Sequence, residues 1–70
     1  MAEICAHITG TVWKVEVKVG DQVGPGDVVA ILESMKMEMP LEAEVSGVVT
    51  EIRVEEGQAI SEGDVLAVVE

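Results

Sequence analysis

The chain has 70 residues and sets 14 acids against four bases, a formal net charge of −10, so phosphate backbones and anionic membranes repel it and neither nucleic acid nor a membrane is expected as a partner. Almost half of the residues are apolar, but Trp13 is the only aromatic and much of the apolar set is Val, which with frequent Gly points to strands around one small core. No signal peptide is expected from the opening residues, no apolar run approaches the ~20 residues that span a bilayer, and the single cysteine excludes an internal disulfide. A soluble, cytoplasmic single domain is expected, with Met1 suited to an independent start.

Along the chain, Ile4, Ala6 and Ile8 predict a first strand. Trp13, Val15, Val17 and Val19 then alternate with Lys14, Glu16 and Lys18, the period-two signature of a half-buried strand. Gly20-Asp21 and Gly24-Pro25-Gly26-Asp27 supply turns. Val28 to Leu32 is too short for a typical helix and too apolar for an exposed edge, so it reads as a buried strand. Beyond the run Glu33 to Pro40, Leu41, Ala43 and Val45 alternate with Glu42, Glu44 and Ser46, and Thr50, Ile52 and Val54 with Glu51, Arg53 and Glu55. Gly57-Gln58 and Glu62-Gly63-Asp64 are turns, and Val65 to Val69 is a last buried strand. No segment carries a convincing helical pattern.

These elements come in two copies. Sliding the chain by 37 residues places Gly10 on Gly47, Val12 on Val49, Gly20 on Gly57, Gly26-Asp27-Val28 on Gly63-Asp64-Val65 and Glu33 on Glu70, without a gap. The pseudo-repeats, about residues 1–33 and 38–70, predict an all-β fold of seven or eight short strands in two packed antiparallel sheets, related by a quasi-two-fold axis. Residues that recur are explained by backbone geometry. The connection between the copies has no counterpart except the gap between the chain ends, so the termini should lie together at the pole opposite it.

That connection is Glu33-Ser34-Met35-Lys36-Met37-Glu38-Met39-Pro40, where Lys36 is a lone cation among three of the chain's four methionines. A soluble protein needs a reason to display methionine, and the chemistry is expected here. The tip contains neither Gly nor Asn, so a type I turn is the default, with Lys36 projecting outwards without strain. Other chemistry has little to work with. Cys5 reads as a half-exposed thiol without a role and His7 as a surface or edge residue, and there are no clustered metal ligands and no phosphate loop.

The motif Glu-Ser-Met-Lys-Met-Glu resembles the biotin-attachment motif, usually written Ala-Met-Lys-Met, of the biotinyl/lipoyl attachment domain family. Gly10-Thr11-Val12-Trp13-Lys14-Val15 with Val19-Gly20-Asp21 resembles the family's first half, and Ser46-Gly47-Val48-Val49 its second, so that the similarity spans nearly all of the chain. The resemblance implies a flattened barrel of two four-stranded sheets, the barrel-sandwich hybrid. It makes Lys36 the biotinylated lysine and Met35 and Met37 a recognition pair read by biotin protein ligase, flanked by Glu33, Ser34 and Glu38. Ser34 replaces the commoner Ala, and His7 stands where many members have Pro. The gapless repeat leaves no room for the thumb of larger carboxyl carrier proteins, so the chain resembles thumbless carriers and short biotin/lipoyl attachment proteins.

The function implied is that of a carrier and not of an enzyme. The ligase would present biotinyl-AMP to the Lys36 amine, and biotin so attached would carry carboxylate from biotin carboxylase to a carboxyltransferase. Excision from a eukaryotic carboxylase would place the domain in the mitochondrial matrix. The alternative is a lipoyl carrier, or a protein that accepts either biotin or lipoate, although lipoyl motifs typically have Asp before and Ala after the lysine. A structural barrel-sandwich module, as in membrane-fusion adaptors, usually has its halves split by a helical hairpin, whereas these halves are contiguous.

Overall fold

The structure, a computed structural model, describes residues 2–70, so Met1 lies outside it. The strands are β1 (Ala2–Cys5), β2 (Gly10–Val15), β3 (Gln22–Val23), β4 (Val28–Ser34), β5 (Met37–Glu42), β6 (Gly47–Ile52), β7 (Ala59–Ile60) and β8 (Val65–Val69). They form two four-stranded antiparallel sheets, ordered β1-β8-β6-β3 and β5-β4-β2-β7. Among the described residues there is no helix, and so none long and apolar enough to cross a membrane. The fold is the all-β double sheet that the repeat predicts, and each sheet takes two strands from each copy of the repeat.

Pairing follows the repeat residue by residue. Val12 lies opposite Leu32, and Val49 opposite Val69; Met39 lies opposite Leu32, and Ala2 opposite Val69. This last pair brings the two ends of the chain side by side. Val12, Leu32, Val49 and Val69 are buried at the centre of the core with Val29 and Leu66, and Ile4, Val23, Leu41 and Ile60 close its ends. The fully buried set is aliphatic, so packing of Val, Leu and Ile side chains between the sheets, and not an aromatic cluster, holds the layers together.

Two features of the pattern differ from the period-two reading. The Trp13-to-Val19 alternation is not one strand: β2 ends at Val15, and the register shifts between Val12 and Lys14. Val12 faces the core, while Trp13 and Lys14 both face solvent. An extra residue in one strand resets the phase of all that follow. The same shift occurs between Val49 and Glu51, so Thr50, also read as apolar-face, is exposed. Similarly, β1 ends at Cys5 and β5 at Glu42, before Ile8 and Val45.

The predicted turns form at both copies by one device. Asp21 and Asp27, and their counterparts Gln58 and Asp64, each follow a glycine with φ between 88° and 99°. In each case the side chain accepts a hydrogen bond from the backbone N–H three residues earlier, at 2.8 to 3.1 Å. Their own N–H groups close the turn onto the carbonyls of Lys18, Gly24, Glu55 and Ser61. Positive φ at the third position makes these type II turns, where glycine avoids the Cβ clash.

Candidate attachment site

Lys36 sits on the hairpin between β4 and β5, whose pairing runs from Val28↔Glu42 to Ser34↔Met37. Because Ser34 pairs with Met37, only Met35 and Lys36 form the loop. Their φ angles are 53° and 66°. Positive φ at both central residues of a two-residue hairpin defines a type I′ turn. The expected unstrained type I turn is therefore not what forms. Type I′ matches the right-handed twist of the paired strands, and the long β4–β5 ladder imposes that twist on residues that would not choose it. Left-handed backbone costs a non-glycine residue roughly 1–2 kcal/mol, so the site carries local strain.

The turn presents its side chains fully. Met35 is 92 % and Met37 62 % exposed, and Lys36, Glu33 and Glu38 are exposed as well. Met39 is not displayed with them: it lies half-buried opposite Leu32 on the inner face. Ser34 is half-buried at the base of the turn. Glu33 and Glu38 face each other across the ladder one pair below it. Among the described residues no carboxylate comes within ion-pair distance of Lys36 Nζ, so the amine is sterically and electrostatically accessible.

A residue passed over as a mere repeat identity positions this hairpin. Gly10, opposite Ile60 on β2, lies so close to β4 that an added Cβ would overlap the Glu33 carbonyl oxygen and meet Ser34 Cβ at 3.2 Å. The recurrence of Gly10 as Gly47 was the available signal, since Gly47 makes the same close approach to Val69 and Glu70. Elsewhere, Cys5 and His7 are exposed, the thiol more so than expected, and both line a shallow groove with Pro25, Pro40 and Glu44. Among the described residues no cluster of three or more His, Cys, Asp or Glu could hold a metal ion.

The family model described as a biotin-requiring enzyme, Biotin_lipoyl, matches residues 1–69. The chain belongs to the biotin/lipoyl attachment family. Among its curated relatives it is 54 % identical over 41 residues to the Biotin/lipoyl attachment protein of Bacillus subtilis, covering 59 % of this chain and 56 % of that one. It is also 54 % identical over 44 residues to the Biotinylated protein TB7.3 homolog of Mycobacterium leprae, covering 61 % of this chain and 62 % of that one. The alignments thus span less than two thirds of these relatives. Among biotin/lipoyl-like structures, part of the Kluyveromyces lactis urea carboxylase superposes on 99 % of this chain with a TM-score of 0.91 and 39 % identity, and this part is 6 % of the carboxylase.

Proposed function

We propose that this biotin/lipoyl domain is a biotin carboxyl carrier, acylated on Lys36. The observation that carries the proposal is the two-residue turn that holds an unpaired lysine amine between two exposed methionines. The family match to a biotin-requiring description and the similarity to a biotinylated protein and to part of a carboxylase support biotin as the group attached.

The residues present fit that group. An ammonium has no free electron pair until a proton leaves, so a base on the ligase takes that proton. The Lys36 nitrogen then attacks the acyl carbon of biotinyl-AMP, the new amide C–N bond forms, the acyl–phosphate C–O bond breaks, and AMP departs. Met35 and Met37 are soft, deformable contacts on either side of the amine, suited to a ligase pocket. Glu33 and Glu38 place negative charge at the base of the turn, and Ser34 closes the ladder beneath it. Biotin, once bound, supplies a carrier for carboxylate between biotin carboxylase and carboxyltransferase. This chain's own contribution is presentation and tethering, which raise the effective concentration of the arm at both enzymes, and no residue of the chain is catalytic.

Lipoate is the second reading, favoured by the name of the Bacillus subtilis relative. Co-expression with biotin ligase in biotin-supplied cells tests both. A single biotinyl adduct mapped to Lys36, absent from Lys36→Arg, is the expected mass spectrum. A lipoyl adduct alone, or a biotinyl adduct on Lys14 or Lys18, would overturn the proposal.

A further inference from the structure

The quasi-two-fold symmetry provides an internal control: a surface that backbone geometry requires appears on both sheets, whereas one that differs has some other cause. The outer faces of the two sheets differ around Val68 and its counterpart Ile31. In the β1-β8-β6-β3 sheet, Glu51 and Glu3 flank Val68 from either side. Arg53 reaches both carboxylates, at 2.9 Å and 3.8 Å, and so spans the face above Val68. Thr50 Oγ1 donates to the Val68 carbonyl at 3.3 Å. Val68 is consequently only 3 % exposed.

In the sheet that carries Lys36, the counterparts of these residues leave the face open. Ile31, in the place of Val68, lies between Lys14 and Pro40. Pro40 has replaced Glu3's carboxylate with an exposed ring, and Glu16 stands where Arg53 would, pairing only with Lys14 at 3.6 Å. Among the described residues no ion pair crosses this face to β5. At the bulge, where the other half has Thr50, stands Trp13, the chain's sole aromatic, 50 % exposed. Trp13, half-buried Ile31 and exposed Pro40 are thus the apolar positions of a patch on this outer face, with Lys14 opposite Ile31 as its one cation. Between it and the turn lies the row of Glu33 and Glu38. The patch starts three ladder pairs from the base of the turn, roughly 10 Å along the strands.

We propose that the Trp13–Ile31–Pro40 patch is the docking surface for the enzyme that acylates Lys36, which meets it with an apolar side chain ringed by cationic groups. The inference rests on the attachment reading above. A two-residue turn offers too little surface to be held in register, and an enzyme whose active site takes in the tip must overhang the sheet bearing it. Charge identifies the partner's chemistry. The acyl-adenylate is an anionic acyl phosphate and calls for a basic pocket, and the patch reaches that pocket across two glutamates on a chain of net charge −10. Exposed aromatics at such a place are anchors that a truncation reveals.

The test is steady-state acylation of the whole protein by purified biotin protein ligase with biotin and ATP. Parent, Trp13→Thr and the triple variant Lys14→Glu, Glu16→Arg, Pro40→Glu are compared. The triple variant rebuilds over Ile31 the charged cover that the other sheet already has over Val68, so its fold is secured by precedent within the molecule, and circular dichroism checks both variants. The expected result is a KM raised about tenfold or more in each, with kcat within about twofold of the parent, because docking energy common to ground and transition states is removed. Parental KM values in both, or a fall in kcat at unchanged KM, would overturn the proposal. So would Trp13 fluorescence altered only on acylation, which would assign the patch to the arm, or a parent dimer dissolved by Trp13→Thr, which would assign it to a second copy. A parent that is not acylated at all is distinguishable from these, since it removes the attachment reading itself and the proposal with it.

Discussion

Gly10 faces the backbone of Glu33 so closely that no side chain can stand between them. This contact sets where β4 ends its run along β2, and so where the hairpin above it begins. Gly10→Ala must push the two strands apart and is expected to cost about 2 kcal/mol, roughly 10 °C in melting temperature for a domain of this size. Gly20→Ala is the contrast: nothing lies within 4 Å of an added Cβ, and only its φ of 99° is penalised, about 1 kcal/mol. Thermal melts of the two variants separate close approach from backbone conformation. Equal losses would mean that the Gly10 contact relaxes freely.

Strain at the turn makes a prediction of opposite sign for stability and for modification. Met35 holds φ at 53° without the tolerance of glycine or asparagine for that region. Met35→Asn should therefore raise stability, by about 1 kcal/mol, while slowing biotinylation several-fold if Met35 makes the proposed ligase contact. Melting curves and timed mass spectra on one preparation check both. A variant less stable than the parent would show that the turn is not strained.

The turn type illustrates what could be read from sequence and what could not. The repeat fixed the pairing of strands because both copies must bury the same alternate positions, as Val12 and Val49 do. The glycine-aspartate turns were legible because a local chemical rule governs them. The φ angles of Met35 and Lys36 were not, since the sequence at the tip argues for type I and the twist of a long ladder overrides it. The bulge at Trp13 was hidden for a related reason: both phases of the alternation contain apolar residues, and only the partner strand selects Val12 as the inward one. Lys36 itself was prominent because it breaks the pattern, whereas the patch around Trp13 became visible only on comparing its neighbours on β4 and β5 with those of Thr50.

Charge gives a third prediction. The ion pairs Lys14–Glu16, Arg53–Glu51 and Arg53–Glu3 all join exposed side chains, and such pairs are worth ~0–1 kcal/mol each. Against them stands a net charge of −10 in a body measuring 31 × 20 × 18 Å. At about 0.01 M salt the screening length of about 30 Å spans the whole molecule, and at about 0.15 M it falls to about 8 Å. Repulsion should win, so the melting temperature should rise with KCl over this range. A falling melting temperature would show that the ion pairs outweigh the excess of acids.

The last prediction asks whether position or local sequence selects the lysine. Lys36 is in the loop, whereas Met37 is the first residue of β5 and pairs with Ser34. Exchanging them, Lys36→Met with Met37→Lys, keeps composition and charge but moves the amine from the turn onto the ladder. There the strand directs it to one face of the sheet, away from the axis along which the tip enters an active site. A displacement of about 1 Å in a reacting group can cost roughly a hundredfold in rate, and this shift is larger, although the flexible lysine stem recovers part of it. Acylation at least about tenfold slower than the parent is expected at fixed ligase concentration. Unchanged circular dichroism would first establish that the sheets are intact. Equal rates would mean that the ligase reads an unfolded peptide and not a presented turn, and the assignment of function to the geometry of the Met35–Lys36 hairpin would have to be withdrawn.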